Sequence, residues 1–462
     1  MIDIRPRAAS LPMRPARSRP LARPTQKAIA GVEPAAHRRG NLLISIILAA
    51  IGILLILIVK SKTTENLLED PIIVVYTLFV TTFQLSRVVG AVMYDRSKRI
   101  VKATSISPSI PYEPTVTYVI PCKNEEASIG KTVDKCFESD YPPEKLEVII
   151  INDGSTDGTQ AVLEEKQNRY PNLVVVNWKI NKGKRHGMYE GFKLAHGEII
   201  VQLDSDSYLV PSTFRKLIEP FRNPAIGAVC AHADPENANQ NFLTRMQAAY
   251  YFMSFRILKA AESTFFTVFC CSGCSSAYRK SVVDPIMDEW VNEEFLGLPI
   301  TWGDDRALTN RVLERGFLTI YTDEVQAFTI CPTDLKTLFK QQVRWKKGWF
   351  VNSLRASRFI FKRDKFVALT YFFPLIFVTT LAPIMATRAL IYNPIVHHTV
   401  PIYYCVGMLL VAFVISVYYR YVSRDNRYWP YLFLWGIFNM TILSFVLFYA
   451  LATIQNRRWG TR

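Results

Sequence analysis

The chain has 462 residues, enough for a large domain together with membrane segments. Half the residues are hydrophobic while 20% are charged, which argues against a wholly soluble enzyme or a wholly buried bundle and fits a soluble domain joined to apolar spans. The net charge is +16, and about +7 of it sits in the first forty residues, where nine Lys and Arg face only Asp3 and Glu33. A basic tail abutting an apolar run is a topology signal rather than a nucleic-acid surface, so no nucleic-acid partner is expected.

Residues 1–40 are rich in Arg, Pro and Ala without apolar periodicity and read as a disordered cytoplasmic tail. Residues 41–94 read as two transmembrane helices. Leu42–Val59 is an uncharged apolar run long enough to span, and a second span begins near Pro71 and runs to about Met93, with Arg87 able to snorkel near its end. From 112 to 334, short apolar runs alternate with helical patterns: Val116–Ile120, Val148–Ile151, Val174–Trp178 and Ile199–Leu203. That rhythm predicts an α/β domain with a mainly parallel sheet, whose ligands bind at the carboxyl ends of the strands. Residues 335–363 follow as an amphipathic interface helix. Residues 366–456 form an apolar bundle of about three spans: Phe366 to Thr387, broken by Pro374 and Pro383, then Val400 to Tyr419, then Tyr428 to Ile454. Under the charge rule Arg355–Lys365 and Arg420–Arg427 lie inside, and Arg457-Arg458-Trp459 then falls outside. The eight cysteines show no even framework and suit a reducing compartment.

Each run of the α/β region ends in residues that carry chemistry. Val201-Gln202-Leu203 ends in Asp204-Ser205-Asp206, and strand alternation sends both carboxylates to one side, where one cation meets both. Mg²⁺ or Mn²⁺ held by one or two carboxylates and completed by substrate phosphates is the usual arrangement at nucleotide sites. An exposed acidic loop end looks the same in isolation. Asn152-Asp153-Gly154-Ser155 is a strand–turn–helix connection in which Asp153 is also placed to accept hydrogen bonds from a base. Asn181 to Gly187 puts Lys182, Lys184 and Arg185 on a glycine-containing loop, suited to neutralise a departing diphosphate. Gly303-Asp304-Asp305-Arg306 opens a helix, where a carboxylate near a sugar hydroxyl supplies the general base of a direct displacement. Gln341-Gln342-Val343-Arg344-Trp345 lies on a helix whose apolar stripe suits core or membrane interface. One Cys-x-x-Cys, Cys271 to Cys274, lacks the second pair of a zinc site.

In this order and flanked by spans, Asn-Asp-Gly-Ser-Thr-Asp, Gly-Lys-Arg, Asp-x-Asp, Gly-Asp-Asp-Arg-x-Leu-Thr and Gln-x-x-Arg-Trp resemble the processive family 2 glycosyltransferases. Gly-Lys-Arg-His and Gly-Asp-Asp-Arg-Ala-Leu-Thr-Asn are similar to hyaluronan synthases, and Cys270-Cys271 to the chitin-oligosaccharide synthases of nodulation. In both groups a proline commonly follows the loop glycine, where this chain has Cys274 after Gly273. The resemblance implies a glycosyltransferase A-type (Rossmann-like) domain on the cytoplasmic face of a cell membrane, between α-helical transmembrane segments. It implies Mg²⁺ or Mn²⁺ as cofactor and a donor site of Asp153, Lys184, Arg185, Asp204 and Asp206, with the metal on Asp206 and Asp204. Asp305 becomes the catalytic base. Asp304, Arg306, Gln341, Arg344, Trp345, Cys271 and Gly273 surround the acceptor, the diphosphate and the channel mouth. The implied partners are UDP-GlcNAc and UDP-GlcA as donors, the growing polysaccharide and membrane lipid. Three rival readings are a chitin synthase using UDP-GlcNAc alone, a single transfer to a lipid phosphate, and a non-catalytic polysaccharide-binding scaffold.

Overall fold

The structure is a computed structural model and describes residues 71–103, 111–398, 402–423 and 426–456. The predicted tail, the first span Leu42–Val59 and the terminal Arg457-Arg458-Trp459 lie outside these residues. The four apolar runs are strands: β1 (Val116–Cys122), β2 (Leu146–Asp153), β3 (Leu173–Trp178) and β4 (Ile199–Gln202). They are rich in Val and Ile, whose branched side chains pack well on a pleated surface. β1, β2 and β4 are almost wholly buried, the pattern of strands covered on both faces.

Further strands widen the sheet: β5 (Tyr208–Leu209), β6 (Ile226–Pro235), β7 (Ser276–Arg279) and, after the hairpin β8–β9 (Glu294–Phe295, Leu298–Pro299), β10 (Leu318–Thr329). The order across the sheet is β3-β2-β1-β4-β7-β6-β10-β5. β1 pairs in parallel with both β2 and β4, whereas β7 runs antiparallel to β4 and β6. The sheet is therefore mixed, where the sequence pattern predicts mainly parallel pairing; β7 is only four residues long, too short for periodicity to reveal it. The strand order reverses between β1 and β4, so the crevice beyond their carboxyl ends is the place where such a sheet binds ligand.

Helices α1 (Pro71–Ala103), α2 (Ile129–Phe137), α3 (Thr159–Arg169), α4 (Lys184–Leu194), α5 (Phe242–Phe252), α6 (Ala260–Thr264), α7 (Asp304–Glu314) and α8 (Leu335–Ser357) surround the sheet. α1 carries the predicted Pro71–Met93 span and continues onto the domain, where Tyr94 is buried and donates to Tyr321 O at 2.9 Å. Met246 and Tyr250 of α5 pack against Trp435, so this stretch is the domain's bearing surface for the last apolar helix.

Lys365–Val396 and Trp429–Ala452 are long and apolar enough to cross a membrane. The breaks expected at Pro374 and Pro383 do not occur. A π-turn at Ala368–Phe372 directly precedes Pro374, and the wider bonding absorbs the missing N–H. Tyr428 donates to Asn239 Oδ1 at 2.7 Å at one end of Trp429–Ala452, and Lys347 of α8 donates to Asn456 O at 3.0 Å at the other. Both ends of this helix are therefore tied by polar bonds to residues outside it. Hydropathy reads length and apolarity, and it is blind to polar ties at helix ends.

Candidate active site

The site begins where β4 ends. Leu203 N still bonds Val119 O, and the chain then turns through Asp204-Ser205-Asp206-Ser207, closed by Ser207 N to Asp204 O at 3.0 Å. Ser205 and Ser207 point inward: Thr132 donates to Ser205 O, and Ser207 donates to Thr329 Oγ1. Asp204 and Asp206 flank the buried Ser205 in this turn and are each half-buried.

A second segment, Cys270 to Cys274, crosses directly over Asp204. A Cβ added to Gly273 would stand 2.9 Å from Asp204 Oδ1 and 2.9 Å from Gln202 Nε2, so a larger residue here would displace one of these side-chain ends. The same residue reaches the other carboxylate, because Gly273 N donates to Asp305 Oδ2 at 3.2 Å. Arg306 N donates to Asp305 Oδ1 at 2.8 Å, and Cys270 Sγ lies 3.7 Å from Oδ2. Burial and then the nearby Asp305 push the Cys270 thiol up to about 12, so it is a neutral thiol at neutral pH. Cys271 N is held by Thr309 Oγ1 at 2.9 Å, which pins the loop to α7. Cys274, standing in place of the family's proline, is buried.

Cations line the other side. Lys184, at the start of α4, donates to Asp204 Oδ1. Burial disfavours its charge, but Asp204 and then Asp304 outweigh this and raise the ammonium above its ordinary value. Arg344 sits within electrostatic reach of Asp204, Asp304 and Asp305, yet burial dominates and lowers its guanidinium. A buried cation facing several carboxylates is arranged to meet a further negative charge. Gln341 and Trp345 lie half-buried at helical spacing from Arg344 and Gly348 on the same helix.

Two predicted donor residues have other partners. Arg185 is 3% exposed, and its Nε donates to Asp304 Oδ1 at 2.7 Å while Nη1 meets Trp290 O and Glu293 Oε2. It braces the site through Asp304, itself 4% exposed, and does not face the crevice. Asp153 accepts from Lys182 N at 2.6 Å and Gly183 N at 2.8 Å, so its carboxylate shapes the 181–183 loop. Gly183, with φ of +95°, turns that loop into α4.

Some functional residues were missed by motif reading. Glu293 gathers Arg185, Arg311 at 2.9 Å and Arg355, from three different helices. Gly348 is the second: a Cβ on it would come 2.8 Å from Gly303 Cα, and Gly303 itself has φ of +74°. The backbones of α8 and the α7 elbow therefore touch, which keeps Arg344 within electrostatic reach of Asp304 and Asp305. The only sequence signal for this was a second glycine seven residues after Gln341.

The pair of carboxylates, the flanking cations and a third, immobilised carboxylate make up an arrangement suited to moving a group off a diphosphate. Comparison with known proteins agrees. The family model described as glycosyl transferase family 2 matches residues 117–286. The chain is 32% identical over 366 residues to the hyaluronan synthase of Streptococcus pyogenes serotype M1, covering 76% of this chain and 84% of that one. It is 29% identical to an N-acetylglucosaminyltransferase of Azorhizobium caulinodans, over 77% of this chain and 89% of that one. Among solved structures, a mannosyltransferase from Pyrobaculum calidifontis in complex with GDP-Man and Mn²⁺ aligns with a TM-score of 0.51 at 20% identity, over 84% of this chain and 99% of that one. That likeness establishes the Rossmann-type glycosyltransferase A fold. The chain is a glycosyltransferase and belongs to family 2, with similarity to hyaluronan synthases.

Proposed function

We propose that this protein is a membrane-embedded, processive, inverting β-glycosyltransferase that builds hyaluronan from UDP-GlcNAc and UDP-GlcA and passes the polymer outward between its apolar helices. The observation that carries the reading is the position of Gly273, whose N–H donates to Asp305 Oδ2 and beside which Asp204 Oδ1 lies so close that an added Cβ would stand 2.9 Å from it. The 32% identity to a streptococcal hyaluronan synthase supports the choice of product.

Asp305 takes the proton of the acceptor hydroxyl. The freed oxygen forms its bond to the anomeric carbon from the face opposite UDP, and the bond from that carbon to the diphosphate oxygen breaks, its electron pair leaving with UDP. Two amide N–H groups, from Gly273 and Arg306, hold the base still while this happens. Lys184 and Arg344 meet the charge that develops on the leaving diphosphate. Trp345 offers a flat apolar face to an acceptor sugar ring. Asp204 and Asp206 fit Mg²⁺ or Mn²⁺ by the chemistry of the donor set: both are carboxylates, half-buried in the turn that follows β4, and a diphosphate would complete the shell of a hard cation. When bound, the ion would neutralise diphosphate charge.

A specific observation favours a second reading. The relative from Azorhizobium caulinodans is an N-acetylglucosaminyltransferase, and a chitin-type product from UDP-GlcNAc alone requires the same residues. Purified full-length protein in detergent with Mn²⁺ or Mg²⁺ separates the two. Polymer formed only with both donors, and degraded by hyaluronidase, is expected; chitinase-sensitive product from UDP-GlcNAc alone moves the protein to the second reading. Asp305→Asn is expected to lower turnover by about 10² to 10⁴-fold while donor binding persists. Wild-type turnover in that variant removes Asp305 from the role of base.

A further inference from the structure

Between Asp305 and the apolar helices runs a polar chain that the transfer chemistry leaves unused. Its centre is Glu262 on α6. Glu262 Oε2 accepts from Phe269 N at 3.1 Å, at the entry to the Cys270–Cys274 segment whose far end holds Asp305. Glu262 Oε1 accepts from the hydroxyl of Tyr371 at 2.9 Å. Tyr371 is 2% exposed and sits in the π-turn Ala368–Phe372 at the head of the Lys365–Val396 helix. π-turns inside helices are frequent at functional positions, because the extra residue re-aims a side chain.

The other groups facing Glu262 complete the network. Arg306, which neighbours Asp305 in sequence, and Lys259 both lie within electrostatic reach, and Lys259 also donates to Cys270 O and to Ser272 Oγ. Arg87 of α1 is buried on the far side, near Tyr371 and Glu262. α1 itself is locked onto α6: a Cβ on Gly90 would stand 2.9 Å from Ala261 Cβ, and Thr264 Oγ1 donates to Gly90 O at 2.8 Å. The short helix that carries Glu262 is thus gripped by one apolar helix and bonded to another.

We propose that Glu262 is a positioning residue for sugar transfer, tying the backbone that holds Asp305 to the Tyr371 hydroxyl so that the geometry of the base follows the placement of the Lys365–Val396 helix. The proposal rests on the reading of Asp305 as base. Glu262 touches no substrate; it acts through Phe269 N and the loop that ends at Gly273.

The test uses full-length protein carrying Glu262→Gln, Tyr371→Phe or both, with UDP release followed at saturating UDP-GlcA and varied UDP-GlcNAc. Each single variant is expected to lower kcat about tenfold or more while KM stays within about twofold, the signature of a misplaced reacting group rather than a lost binding contact. The double variant is expected to be no worse than the weaker single, because the two side chains work as one unit. Wild-type kcat in a monodisperse Tyr371→Phe protein overturns the proposal. So does a lowered yield of folded protein with normal turnover per folded molecule, which is a purely structural effect. Should Glu262→Gln not accumulate in membranes, Tyr371→Phe, which removes one hydroxyl, decides. An active Asp305→Asn enzyme overturns the reading of the base; normal Glu262→Gln turnover beside an inactive Asp305→Asn overturns the positioning role alone.

Discussion

At the scale of single residues, the site depends on one position where a side chain would crowd its neighbours. Gly273 stands between Asp204 and Asp305, and its Cβ would meet a carboxylate oxygen and an amide nitrogen at 2.9 Å each. Gly273→Ala is expected to displace the loop by a few tenths of an ångström or push Asp204 aside, either of which misplaces the donor relative to the base. Turnover should fall on the order of 10²-fold, because small misplacements of reacting groups have effects of that size. Circular dichroism and the elution profile of the purified protein should match wild type, since the change lies in a loop at the sheet's edge of the crevice. An active Gly273→Ala enzyme sinks the close approach on which the reading stands. Residue identity in the motifs was legible in advance; the direction of each side chain was not. Asp204 and Asp206 stay half-buried in the turn after β4, while Arg185, adjacent in sequence to Lys184, turns inward to Asp304 and Glu293. On a helix, neighbours point about 100° apart, and only the packing of α4 against Trp290 says which of the two cations faces in.

At the scale of elements, the decisive contact is the crossing of α8 over the elbow of α7. Two glycines allow the backbones to touch, and Asn352 Nδ2 bridges them by donating to Gly348 O at 2.9 Å on its own helix and to Gly303 O at 3.4 Å across the crossing. Gly348→Ala places a methyl 2.8 Å from Gly303 Cα, main chain that cannot rotate away. Overpacking of this kind costs about 1–3 kcal/mol, and the thermal midpoint in detergent should fall by several degrees. Activity should fall further than stability, because Arg344 and Trp345 ride on the displaced helix. An unchanged midpoint together with unchanged turnover sinks this account of the crossing. The helix was legible from its apolar stripe; the partner it crosses was not, since glycine spacing on one element carries no information about another.

At the scale of the whole molecule, the α/β domain and the apolar helices meet through polar ties that respond to pH. Asp323 of β10 accepts from Lys98 of α1 at 2.7 Å and pairs with Arg256 at 3.3 Å. Burial raises its carboxyl, but Arg256 and then Lys98 outweigh it, and the net shift is downward. A carboxyl depressed on folding stabilises the native state above its unfolded pKa, about 4, and that contribution disappears as pH falls through the lower, folded value. Asp323→Asn should therefore reduce stability at neutral pH and flatten the loss of stability below about pH 4. A parallel acid limb in wild type and variant would place the pH sensitivity elsewhere.

The amino-acid sequence alone determined the strand rhythm of the sheet, the acidic strand end, the loop cations and the elbow that carries Asp305. These are local patterns, readable because alternation and turn chemistry act over a few residues. The antiparallel β7, the Gly303–Gly348 contact, the inward brace of Arg185 and the Glu262–Tyr371 bond were decided by the tertiary structure. Each joins residues tens to hundreds of positions apart, and which of many possible partners a buried polar group finds is settled only when the whole core closes. The bond from Lys347 to Asn456 O belongs with them, because an apolar run records that it must leave water without recording where its ends are tied.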